Sequence, residues 1–144
     1  MTDTHRTVLT AEELTAFLEE VFPQIRGEAS IEEVAPMRAR MRLHVSERHL
    51  RPGGTISGPA MFMLADVAFY VAVLAMIGRE PLTVTPNLSI NFLRKPAPRD
   101  LIGEARILKL GRSLAVGDAI LTSEGDERAV AHASVTYAIP PRRG

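Results

Sequence analysis

The sequence predicts an α+β fold in which an antiparallel β-sheet wraps around one long central helix. Three observations predict it: a continuous apolar run from Ala60 to Ile77, alternating apolar and polar residues in the segments flanking it, and short Gly-, Pro- and Ser-bearing turns between those segments. The 144 residues, 46% of them hydrophobic, supply enough core for one domain over 1–144, with an N-terminal helix at about 10–22 and a core at about 35–139.

The elements follow in chain order. Thr10-Ala-Glu-Glu13 matches a capping box, and Leu14, Phe17, Leu18, Val21 and Phe22 recur at helical spacing, so a short amphipathic helix ends before Pro23. From Met37 the period changes to two. Met37, Ala39, Met41, Leu43 and Val45 fall on one face, and Arg38, Arg40, Arg42 and His44 on the other, which is a strand with one solvated face. Arg51-Pro-Gly-Gly-Thr-Ile-Ser-Gly-Pro59 reads as loop and helix entry, with Pro59 suited to the first helical turn, and the helix stops near Gly78. Strands follow at about 82–92, 101–110, 114–122 and 130–139, punctuated by Arg94–Asp100, Gly111–Ser113 and Ser123–Glu127.

Composition excludes several classes. Seventeen basic and seventeen acidic side chains balance, and two Tyr, five Phe and no Trp give no stacking platform, so no nucleic-acid partner is expected. The absence of Cys removes a thiolate nucleophile and thiolate-bound metal, and the four histidines have no metal-ligand spacing. No metal or cofactor is expected. The polar N-terminal segment lacks an apolar signal core, which makes a cytoplasmic location the expectation. Residues 60–77 approach the length that crosses a membrane, but Asp66 at their centre is costly in lipid. A buried helix with no membrane partner is the expectation.

Asp66 is the most informative residue. No Lys, Arg or His lies within the apolar run around it, so its carboxylate must be neutral, hydrogen-bonded by a neighbour such as Tyr70 or a backbone amide, or exposed to a cleft that uses it. Helical spacing places Phe62, Met63, Phe69 and Tyr70 on the same stripe, an apolar surface suited to an aryl or medium-length chain. Gly58 opens the same helix, where unpaired amides and the helix dipole favour a developing negative charge.

Gly54-Thr-Ile-Ser-Gly58, the step to Leu64-Ala-Asp66, Thr83 through Phe92-Leu-Arg94, and Glu104 through Leu110-Gly-Arg112 together resemble the hotdog-fold acyl-CoA thioesterases of the phenylacetate-pathway (PaaI-like) type. The resemblance covers about residues 35–139. It implies a hotdog fold and hydrolysis of an acyl-CoA to a carboxylic acid and free CoA, with CoA only as part of the substrate. It further implies Asp66 as general base or nucleophile, Gly58 as oxyanion donor, and Thr85 as the hydroxyl placing the attacking water. The site of such enzymes forms between subunits, so a homodimer or homotetramer, a dimer of dimers, is expected. The chain departs from the family pattern at Arg51, Ser57 and Pro59, where Asn, His and Gly are common, so the oxyanion hole would rest on fewer donors.

Alternation groups Thr85 with Asn87, Ser89 and Asn91, while Pro86 introduces a bulge that changes its facing. The candidates for the CoA phosphates are Arg94, Lys95, Arg112 and Ser113, with Arg51 from a neighbouring subunit. Two other functions remain open on the sequence: a non-catalytic acyl-CoA-binding or regulatory domain, and a hydratase or dehydratase on the same fold. The latter needs a His paired with an acid near the helix entry, and the sequence places none of its four there.

Overall fold

A computed structural model describes residues 4–81 and 83–141, with the side chains of residues 84–86 outside the description. The first helix, α1 (Ala11–Val21), closes the capping box that its sequence spells: Thr10 Oγ1 accepts the Glu13 N–H at 3.1 Å, and Glu13 Oε1 accepts the Thr10 N–H at 3.0 Å. Leu14, Phe17 and Leu18 form its buried stripe.

Among the described residues six strands follow, β1 (Ala29–Ala35), β2 (Arg38–Leu43), β3 (Val84–Phe92), β4 (Leu101–Leu110), β5 (Leu114–Ser123) and β6 (Ala129–Ala138), with α2 (Gly58–Ile77) between β2 and β3. They form one antiparallel sheet in the order β1-β2-β4-β5-β6-β3. The helix is thus the crossover that carries the chain to the far edge of the sheet. Register breaks at Ile31/Glu33, Val84/Asn87, Ile107/Lys109 and Leu121/Thr122 insert bulges, which increase twist and let the sheet curl around α2.

Small residues make the close wrap possible. The inward faces of β4, β5 and β6 carry Gly103, Ala105, Ala115, Gly117, Ala119, Ala131 and Ala133, against Ala65, Ala68, Ala72 and Ala75 of α2. A Cβ at Gly117 would lie 2.0 Å from the Arg106 carbonyl oxygen and 2.6 Å from Phe69 Cε1, so Phe69 packs into space that only glycine leaves. Although α2 is long and apolar enough to cross a membrane, 83% of its most apolar window is buried within the fold.

Two expectations need correction. The sheet begins at Ala29 rather than near residue 35, because β1 is an edge strand whose bulge breaks the period-two signal. Phe69 is fully buried between helix and sheet, its ring 5.5 Å from that of Tyr137, and so leaves the stripe that Phe62, Met63 and Tyr70 form. The arginines of β2 are charge-paired: Arg38 with Glu33, Arg40 with Glu32 and Glu104, and Arg42 with Glu32, Asp100 and Glu124.

Candidate functional site

One face of α2 escapes the sheet. Pro59 and Phe62 are exposed on it, and Met63, Asp66 and Tyr70 are half-buried. Asp66 meets a tyrosine, but the one from the last strand. The Tyr137 hydroxyl donates to Asp66 Oδ1 at 2.5 Å and to the Asp66 carbonyl oxygen at 3.0 Å. This corrects the expectation of Tyr70, whose ring centroid instead stands 6.0 Å from that of Tyr137, and whose phenol is pushed up by burial. Sequence reading missed Tyr137, yet the signal existed. A carboxylate within an apolar helix needs a donor, and Tyr137 lies on the inward-facing row of β6 with Ala133 and Val135.

At the other end, Ser57 caps α2: its Oγ accepts the Ala60 N–H at 3.3 Å. Pro59 has no N–H, so among the described residues the Gly58 amide is the donor of the first turn that the cap does not use. A Cβ at Gly58 would stand 3.3 Å from the ring of Phe92, which is 52% exposed and can shift. The loop before the cap is closed by its main chain, with Arg51 N–H to Thr55 O at 2.8 Å, Leu50 bridged to Ile56, and Ser57 N–H to His49 O at 2.7 Å. Gly53 and Gly54 take φ of 102° and 81°, which suit glycine.

Gly58 and Asp66 do not converge within one chain. Eight residues of helix separate them by about 12 Å along the axis, too far to act on the same carbonyl. The phosphate-binding candidates are also divided. Arg94 and Lys95 follow β3 at the end where Phe92 pairs with Ala131, whereas Arg112 and Ser113 turn into β5 where Leu114 pairs with Ala138. Seven residues of strand place those ends about 23 Å apart. Arg51 is exposed in the helix-entry loop, as Arg94, Lys95, Arg112 and Ser113 are in theirs. The bulge expected at Pro86 is present in the break between Val84 and Asn87. The Thr85 side chain lies outside the described residues.

A His–acid pair does sit at the helix entry, contrary to the sequence-based expectation. His49 and Glu28 are both buried and joined through His49 Nε2 and Glu28 Oε2. Nothing in the local pattern announced it, because 21 residues separate the partners. The Ser46 N–H donates to Nδ1 at 2.9 Å, so the ring proton belongs on Nε2, facing Glu28. Burial, with Arg48 adding to it, holds His49 below the ordinary imidazole range. The Ser46 bond acts in the same sense, since a proton on Nδ1 would oppose N–H to N–H. Both nitrogens are engaged within the protein, which disfavours the proton transfer that a hydratase requires.

Comparison with known proteins agrees with this architecture. The sequence profile of the Thioesterase superfamily matches residues 53–138. Among solved structures, a candidate thioesterase from Silicibacter sp. TM1040 is 58% identical, with TM-score 0.90 over 96% of this chain and 97% of that one. A point mutant of the phenylacetic acid degradation protein PaaI from Thermus thermophilus is 25% identical, with TM-score 0.72 over 82% and 99%. Zebrafish thioesterase superfamily member 2, at 22% identity and TM-score 0.81 over 92% and 99%, shares the fold. A search of curated protein sequences finds no match.

Proposed function

Since the chain belongs to the thioesterase superfamily, with the hotdog fold of its relatives, we propose that it hydrolyses an acyl-CoA thioester to a carboxylic acid and free CoA. One observation carries the reading: Asp66 is an acid on the uncovered face of an otherwise apolar helix, its carboxylate held by Tyr137. A hydrogen-bonded, half-buried carboxylate of fixed orientation suits a base that must meet one water or one carbonyl carbon.

The separation of Gly58 from Asp66 supports a site shared between two copies of the chain, in a homodimer or a dimer of dimers. The thioester oxygen then rests on the Gly58 N–H of one protomer, where the helix dipole favours the charge that grows on it. Asp66 of the partner protomer takes a proton as water adds to the carbonyl carbon. The C–S bond breaks, and the proton passes to the departing thiolate. Direct attack by Asp66, followed by hydrolysis of the anhydride, gives the same products. Phe62, Met63 and Tyr70 flank the carboxylate as acyl contacts. With two copies related by symmetry, cations from opposite ends of the sheet can meet at one mouth, which suits Arg94, Lys95, Arg112 and Arg51 to the CoA phosphates.

The test is a panel of acyl-CoA thioesters assayed for free thiol, with Asp66→Asn as the silent control. Tight binding of an acyl-CoA without thiol release would favour a binding module instead.

A further inference from the structure

We infer that the Glu28–His49 pair is a positioning device for the oxyanion-donor turn, tying the Gly58 amide to the body of the fold; this rests on the thioesterase reading above. His49 is 7% exposed and Glu28 9%, so both polar side chains have been taken from water for some purpose. Each nitrogen of the ring bonds to a different segment. Nδ1 accepts from Ser46 within its own turn, and Nε2 donates to Glu28, which lies just ahead of β1. Glu28 is anchored by its main chain as well, with His44 N–H to Glu28 O at 2.8 Å and Glu28 N–H to Ile25 O at 2.9 Å.

The same His49 then supplies its carbonyl to the Ser57 N–H at 2.7 Å, and Ser57 is the cap directly preceding Gly58. An unbroken line of bonds therefore runs from the Glu28 carboxylate through the His49 ring and carbonyl to the cap. The turn needs such an anchor. Arg51, Pro52, Gly53 and Gly54, which lead into it, are all exposed, and two of them are glycines at positive φ. An oxyanion donor that drifts by an ångström loses much of its effect. Proton transfer by the pair itself is the competing role, and the engagement of both ring nitrogens disfavours it.

The 144-residue chain tests this with Glu28→Ala, Glu28→Gln and His49→Asn. The Gln side chain keeps an oxygen for Nε2–H. The Asn side chain keeps an acceptor for the Ser46 N–H but cannot reach Glu28. Two quantities are measured: steady-state kcat and KM on an acyl-CoA, and amide exchange at Ser57 relative to Ala119 in the sheet. Glu28→Ala and His49→Asn should each speed Ser57 exchange about ten-fold or more without changing Ala119. They should also lower kcat about ten-fold or more at nearly constant KM, and Glu28→Gln should recover most of that loss. Should Glu28→Ala fail to fold, His49→Asn decides alone. Unchanged Ser57 exchange overturns the inference, as does faster exchange with undiminished kcat. A wild-type protein that cleaves no thioester, but whose Ser57 amide is released by both substitutions, upholds the anchoring of the turn and overturns the thioesterase reading.

Discussion

The Tyr137 hydroxyl lies 2.5 Å from Asp66 Oδ1 and 3.0 Å from the Asp66 carbonyl oxygen, so one residue of the last strand holds both the side chain and the backbone of the central carboxylate. Tyr137→Phe removes that donor with little change of volume and leaves the carboxylate short of a bond. Stability should fall by about 1.5–3 kcal/mol in urea unfolding, and kcat should fall while KM holds. Unchanged stability and kcat would show that the contact is incidental.

Asp66→Asn should be folded and inactive. The amide oxygen still accepts from Tyr137, whereas general-base action, worth about 10²–10⁴-fold, is lost. Co-expression tests the shared site. In a mixed dimer of Asp66→Asn with a Gly58→Val chain, one of the two sites regains an intact Gly58 and an intact Asp66. Random pairing should therefore restore about a quarter of wild-type activity. Two inactive parents that remain inactive when mixed would place both groups in one chain's site.

At Gly117 the constraint is steric. A methyl group there meets a backbone carbonyl and Phe69, neither of which can move freely, so Gly117→Ala should cost about 3 kcal/mol or more. Gly103→Ala, whose nearest neighbours are the Leu64 and Leu121 side chains at 3.0 and 3.2 Å, should cost less. Calorimetric melting of the two variants gives the order.

Acid should weaken the fold through His49. Its value in the folded chain is lowered, chiefly by burial, from the roughly 6.5 of an unfolded chain, so the unfolded chain takes up the proton first as pH falls. The contribution is complete above about pH 6.5 and is lost as pH drops through that value toward the folded-state pKa. Urea unfolding between pH 8 and 5 should show a steeper acid decline for wild type than for His49→Asn. Parallel declines would assign the acid sensitivity elsewhere.

The coenzyme handle should respond to salt. If Arg94, Lys95 and Arg112 meet phosphates at an exposed mouth, screening shortens their reach from about 10 Å at 0.1 M salt to about 3 Å at 1 M, and KM for the CoA ester should rise. The same acyl group on N-acetylcysteamine, which lacks the phosphates, should show little salt dependence. Equal kcat/KM for both thioesters at every salt concentration would show that the protein does not read the CoA portion.

Local chemistry by itself determined α1, the strand pattern after residue 82 and the central helix. Capping box, alternation and apolar run each act over a few residues, and the Thr10–Glu13 cap and the alternation of β5 appear as written. Asp66 was likewise legible, since a carboxylate amid apolar neighbours stands out without any structure. Only the tertiary structure decided who satisfies it, because Tyr137 lies 71 positions away and reaches Asp66 through the closing of β6 over α2. The Glu28–His49 pair and the burial of Phe69 above Gly117 were settled in the same way. So was the division of the basic residues between opposite ends of the sheet, which follows from β5 and β3 both pairing with β6. Periodicity tells which side of an element is apolar. Which distant groups meet there depends on the curl and register of the sheet, and no short window of sequence contains those.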